Sequence, residues 1–174
     1  MIALKRILVA TDFSEPAEAA LRYGTELTRR FDASLHVLHV VDDLAARPDP
    51  VAAAPMDSGA LQMTLENEAR ADLAELVPEP DRSALRAHLD IMVSDQPAQA
   101  ILAYARDAQI DLIIVGTHGR RGLAYFFMGS VAQELGRTAT CPVLTVRAHA
   151  REFIHPDALQ IVQRAEQHQT TTVV

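Results

Sequence analysis

The chain has 174 residues, 49% of them apolar and 22% charged, with a formal net charge of -7 and a pI near 5.4. That length accommodates one domain with a full core, and the apolar content excludes disorder of the whole chain. The acidic balance excludes an extended nucleic-acid face, which needs clustered Lys and Arg, but it leaves room for a local anion site.

The N-terminal stretch Met1-Ile-Ala-Leu-Lys-Arg-Ile-Leu-Val-Ala10 sets its charges inside a short apolar segment rather than ahead of one, so no signal peptide is expected. Ile7-Leu-Val-Ala10 reads as a strand covered on both faces. Asp12 and Ser14 supply turn and N-cap chemistry, Pro16 suits a first helical turn, and Ala17, Leu21, Gly24, Leu27 and Phe31 form the inner stripe of the helix that follows. Leu35 to Val41 is the second strand, with His36 and His39 on opposite faces, a separation that argues against a shared metal. From Asp42 to Gly59 the pattern breaks into a long connection containing Pro48, Pro50 and Pro55.

Leu61, Leu65, Ala69, Leu73 and Leu76 rebuild a helical stripe, which Pro78 ends. His88 to Val93 is the third strand. Ser94 or Asp95 is then expected to cap a helix with Pro97 in its first turn and Ala98, Ile101, Leu102 and Ala105 facing inward. Leu112 to Val115 is a fourth, buried strand.

The next fifteen residues, Gly116-Thr-His-Gly119-Arg-Arg-Gly-Leu-Ala-Tyr-Phe-Phe-Met-Gly129-Ser130, run from that strand into the helical pattern Val131-Ala-Gln-Glu-Leu135. Glycine turns the chain sharply and lets an anion approach the backbone amides. A helix start adds unpaired N–H donors and the positive end of its dipole. The segment predicts a phosphate-holding loop and hence a nucleotide-binding protein. Ser130 is expected to cap its helix and also donate to a phosphate oxygen, while Arg120 and Arg121 in the loop are placed to neutralise phosphate. His118 lacks partners at triad spacing and reads as a loop or ligand-contact residue.

Cys141 is the sole cysteine, which rules out an intrachain disulfide and favours a reducing, cytoplasmic setting. Pro142-Val-Leu-Thr-Val146 is the fifth strand, its leading proline suiting a strand start or a sheet edge. No apolar run reaches the ~20 residues of a membrane span. Residues 1–147 are expected to form one doubly wound α/β domain with a five-stranded parallel sheet. Residues 148–174 are expected to form a C-terminal extension, with a short helix over Asp157–Ala165 and a tail.

Gly116-x-x-Gly119, then nine residues, then Gly129-Ser130, resembles the nucleotide-binding signature of the universal stress protein family, in its ATP-binding, UspA-like subgroup. Ile7-Leu-Val-Ala-Thr-Asp12, Leu35-His-Val-Leu-His-Val-Val41 and Thr140-Cys-Pro-Val-Leu-Thr-Val146 fit the same resemblance, which covers residues 1–147. It implies an adenine nucleotide alpha hydrolase-like fold with strand order 3-2-1-4-5 and ATP between strands one and four. Chain topology alone leads to the same crevice, since ligands of open parallel sheets sit where the winding reverses. The resemblance further implies adenine on the backbone of Val41, ribose or Mg²⁺ on Asp12, and phosphate on Gly116, Gly119, Gly129, Ser130 and the amide of Val131. A carboxylate suits a hard cation, although Asp12 also suits a helix cap.

The function implied is a nucleotide-dependent stress-response module that acts as a homodimer through strand 142–146 and presents a surface to an unknown protein partner. The alternative is a slow ATPase or phosphotransferase in the same cleft. No Walker pattern occurs and no water-orienting residue stands out, so turnover is expected to be weak or absent. A receiver-like phosphorylation domain is excluded because only Asp12 follows strand one and no lysine follows Lys5.

Overall fold

A computed structural model of the chain describes residues 3–46, 58–117 and 129–148. Among them lie, in chain order, β1 (Arg6–Thr11), α1 (Glu15–Phe31), β2 (Ser34–Val41), α2 (Ser58–Leu76), α3 (Glu79–Leu85), β3 (His88–Val93), α4 (Pro97–Asp107), β4 (Leu112–Gly116), α5 (Ser130–Thr138) and β5 (Val143–Val146). The strands form one sheet in the order β3-β2-β1-β4-β5, all neighbours parallel. This is the doubly wound α/β fold and the strand order expected from the sequence.

The sheet is covered on both sides, which explains why its central strands are continuous apolar runs rather than alternating ones. Ile7, Val9, Leu35, Val37 and Ile114 pack with Leu21, Leu73, Val77 and Leu85 into one cluster, beneath α1, α2 and α3. Leu8, Leu38, Ile113 and Val115 pack with Ile101, Ala105, Ala132 and Leu135 into the other, beneath α4 and α5. Cys141 is half-buried against the second cluster, and burial raises its thiol pKa, so it packs there as a small apolar group.

Helix α1 shows how local chemistry sets an element. Ser14 holds the extended N-cap conformation, Pro16 fills the first turn, and Glu15 and Glu18 sit at the positive end of the dipole. Arg29 and Arg30 occupy the last turn, and Asp32 ends the helix in the left-handed conformation at φ 51°. The helix lies so close to β1 that a Cβ on Gly24 would stand 2.3 Å from Val9 Cγ2. Phe31, expected on the inner stripe, is 38% exposed instead, because Thr28 takes the buried position as the stripe drifts around the helix.

Three further expectations change. Pro78 does not lead directly to β3: it is the N-cap of α3, whose first turn carries Pro80, Glu79 and Asp81. Leu61, expected at the start of the α2 stripe, is 40% exposed, and burial begins at Ala69. The N-cap of α4 is Gln96, while Ser94 accepts the Gln96 N–H at 3.0 Å in the preceding turn. The centre of the long connection and the helix and tail expected within 148–174 lie outside the described residues, apart from Ala148.

Candidate functional site

Strand order places β1 beside β4, with β2 and β3 added on one side and β5 on the other, so the winding reverses between β1 and β4. In register, Ala10 faces Val115 and Thr11 faces His39, which brings Asp12, Gly116 and the end of β2 to one rim of the sheet. Helix α1 starts at this rim after β1, and α5 starts there after β4, on the opposite face.

The β1–α1 turn is built from its own side chains. Thr11 Oγ1 accepts the Phe13 N–H at 3.0 Å, and Asp12 Oδ1 accepts the Ser14 N–H at 3.2 Å and the Ser14 hydroxyl at 2.5 Å. Between these bonds Phe13 is held at φ 61°. A left-handed bulky residue costs on the order of 1–3 kcal/mol and persists only where its surroundings over-determine it. From outside, His39 Nδ1 lies 2.8 Å from the Thr11 carbonyl, and the His39 ring lies 4.5 Å from that of Phe13. Asp12 thus bonds to the cap residue of α1 rather than capping it directly, and Ser14 is the cap.

Gly116 ends β4. A Cβ there would stand 2.8 Å from the Pro16 carbonyl carbon and 3.0 Å from the Ala17 nitrogen. Its glycine is therefore demanded by the close approach of β4 to the first turn of α1. No described glycine has a positive φ.

Beyond Gly116, the Thr117 N–H donates to the Val146 carbonyl at 2.8 Å, and the Gly129 N–H donates to the Thr117 carbonyl at 2.6 Å. The loop is thereby pinched shut at its base, and the Gly129 amide is engaged in that closure. Gly129, at φ -56° and ψ 148°, is the N-cap of α5. This corrects the expectation for Ser130, which is the first helical residue and exposed. The reason is that the Gly129 carbonyl already accepts the Gln133 N–H, at 2.9 Å. The N–H groups of Ser130, Val131 and Ala132 are the first of the helix and have no acceptor within it. The first turn of α5 carries no acidic residue, whereas that of α1 carries Glu15 and Glu18. The positive end of α5, like those of α2 and α4 and unlike that of α1, is thus not offset by an acidic side chain of its own first turn.

Val41 is buried at the end of β2, and its carbonyl accepts the Ser94 N–H at 2.9 Å. Just beyond it, the Leu44 N–H donates to Gln62 Oε1 at 3.1 Å, and Gln62 Nε2 is buried without a hydrogen-bond partner. Asp12, Val41, Gly116, Gly129, Ser130 and Val131 are thus brought to the same rim of the sheet. Gly119, Arg120, Arg121 and His118 lie outside the described residues. Sequence reasoning foresaw Ser14 as turn and cap, missed Phe13 and Gln62, and assigned His39 no place at the site. Only for His39 was a signal present, in its parity with Val41 at the end of β2. Among the described residues no group of three His, Cys, Asp or Glu side chains is arranged to hold a metal, and no helix is long and apolar enough to cross a membrane.

Comparison with known proteins fits this architecture. The model of the universal stress protein family matches residues 3–147. Universal stress protein A homolog 1 of Coxiella burnetii is 32% identical over 142 residues, 82% of this chain and 95% of its own. Universal stress protein MJ0531 of Methanocaldococcus jannaschii is 28% identical over 150 residues, 85% of each chain. The structure of UspA from Lactobacillus plantarum superposes with a TM-score of 0.67 at 26% identity, covering 84% of this chain and all of that one. The same fold recurs in a universal stress protein solved with cAMP (TM-score 0.53, 19% identity, 84% and 99% covered) and in one from Archaeoglobus fulgidus solved with dAMP (0.55, 22%, 84% and 99%). A family model spanning the sheet from before β1 to beyond β5, with curated relatives matched along most of their length, leaves one conclusion: the chain belongs to the universal stress protein family.

Proposed function

We propose that the chain binds an adenine nucleotide at the rim between β1 and β4, taking ATP with Mg²⁺, and that it works as a nucleotide-dependent stress-response module rather than through rapid turnover. The observation that carries this reading is the start of α5. Its first amides have no helical acceptor, no carboxylate of its own offsets its dipole, and the Thr117–Gly129 hydrogen bond aligns it with the end of β4. Adenine nucleotides bound to two other members of the family give the ligand class. The remaining donors fit such a ligand. The Asp12 carboxylate is the kind of group that suits a phosphate-bound Mg²⁺, and the Val41 carbonyl can accept a second donor from adenine. Gly119, Arg120 and Arg121 complete the phosphate side in this reading. Bound Mg²⁺ supplies charge neutralisation of the phosphates; the protein's part is to hold and orient them.

Gly116→Val is a poor probe of this site, because the added side chain meets the backbone of Pro16. Ser130→Pro is a clean one. Proline is tolerated at a first helical position, and Gly129 already has the extended conformation that must precede it. The substitution removes one amide donor and the hydroxyl while keeping α5. Calorimetry with Mg-ATP is expected to show affinity falling by about tenfold or more, the scale of a hydrogen bond to a charged group, with an unchanged unfolding midpoint. Equal affinity for the variant and the parent chain would refute the reading.

The proposed homodimer pairs β5 with its copy, since β5 is the outer strand on that side of the sheet. The bonds Ile113 N–H to Pro142 and Thr117 N–H to Val146 show that even-numbered β5 residues face β4, so Val143 and Thr145 direct their backbone groups outward. Thr145→Pro deletes an outward N–H and none of the β4 ladder. Light scattering is expected to give the dimer mass for the parent chain and the monomer mass for this variant.

A further inference from the structure

The β1–α1 turn carries Asp12, and its geometry depends on a residue from a neighbouring strand. His39 sits on β2 directly across from Thr11 in register. Its Nδ1 is 2.8 Å from the Thr11 carbonyl, a group that only accepts hydrogen bonds. Nδ1 therefore carries a proton and donates it to that carbonyl. The same ring lies against Phe13, centroids 4.5 Å apart and planes tilted by 40°, and Phe13 is the residue held left-handed. One imidazole thus grips the turn at two successive places: the carbonyl before Asp12 and the ring after it.

We infer that His39 is the positioning residue of the candidate nucleotide site: through Thr11 and Phe13 it sets the place of the Asp12 carboxylate before any ligand arrives. The inner bonds of Thr11 and Asp12 with Phe13 and Ser14 close the turn on itself. They do not tie it to the rest of the sheet. His39 provides such a tie, linking the turn to the end of β2, the strand that also ends in Val41. Adenine and metal ends of a bound nucleotide would then be spaced by one rigid unit. This consequence rests on the nucleotide-binding reading above; the grip on the turn does not.

Asparagine and glutamine separate this role from mere packing. The side-chain amide of asparagine reaches the position of Nδ1, whereas that of glutamine, one carbon longer, reaches the position of Nε2. Mg-ATP affinity is measured by calorimetry for the parent chain, His39→Asn, His39→Gln and His39→Leu. Long-range ¹H–¹⁵N spectra are recorded to assign the tautomer and to follow the Phe13 and Ser14 amides. Expected are the Nδ1–H tautomer in the ligand-free chain and affinity within about threefold of parent for His39→Asn. A loss of about tenfold to a hundredfold is expected for Gln and Leu, the scale of losing an outer-shell orienting partner. The Phe13 amide should shift in Gln and Leu and stay in Asn. If Leu fails to fold, the contrast of Asn with Gln decides. An Nε2–H tautomer, or a Gln variant matching Asn in both affinity and the Phe13 amide, overturns the inference. A parent chain that takes up no adenine nucleotide overturns the proposed function, and the grip on the turn is then judged by the tautomer and the Phe13 amide alone.

Discussion

His36 turns to the α4 side of β2, where it is 7% exposed and its Nδ1 lies 2.9 Å from the Tyr104 hydroxyl, whereas His39 turns to the α1 side and meets the backbone of the β1–α1 turn. In both, Nδ1 must carry a proton, for different reasons. The one hydroxyl proton of Tyr104 goes to Asp90, so His36 must donate to the Tyr104 oxygen, while His39 donates to a carbonyl. His36 also stacks on His88 at 4.6 Å. Burial, then the facing His88, then Arg6 lower its pKa against the opposing pull of Asp90. Burial, the hydrogen bond to Asp90 and its charge push the Tyr104 hydroxyl far above its ordinary range. One residue type on one strand thus serves two ends of the molecule. At the N-terminal end of β2 it ties a helix to the sheet edge, and at the C-terminal end it meets the β1–α1 turn.

That division can be broken experimentally. The largest stability effect is expected from Tyr104→Phe, which leaves the His36 N–H and the Asp90 carboxylate without their shared partner. The cost should be about 2 kcal/mol, or roughly 4–8 °C in the unfolding midpoint of a chain this size, with nucleotide affinity unchanged. A parallel loss of affinity would show that the two ends are coupled.

A smaller effect concerns acid. Because burial holds the folded His36 below its ordinary value of 6.5, the unfolded chain takes up that proton first as pH falls. Stability from this group is complete above about pH 6.5 and is lost as pH drops toward the folded value. Urea midpoints measured from pH 7.5 to 5 should therefore decline, and His36→Gln should flatten the decline. Equal slopes for parent and His36→Gln would remove His36 from the acid response.

The sheet was legible because each central strand is a short apolar run and each crossover supplies a helix. Parity along β2 was legible too, and it separated His36 from His39 before any coordinates. The region around Pro78 was not. A proline ending one helix reads the same as a proline capping the next, and only the burial of Leu85 and Val77 against the sheet shows that a second helix, α3, packs there. At the candidate site, the glycine pattern located the segment but not each residue's task. Gly129 and Ser130 both suit a cap, and the carbonyl accepting Gln133 decides for Gly129.

By itself, the sequence determined the alternation of strands and helices, because hydrophobic period is a local property, and its ordered motifs carried the family resemblance that implied the strand order. Only the tertiary structure decided why Gly116 must lack a side chain, which amide of α5 begins the helix, and what holds Asp12 in place. Those answers depend on atoms brought together from distant positions, such as Pro16 against Gly116 and His39 against Thr11, and no spacing along the chain encodes a contact between separate strands and helices.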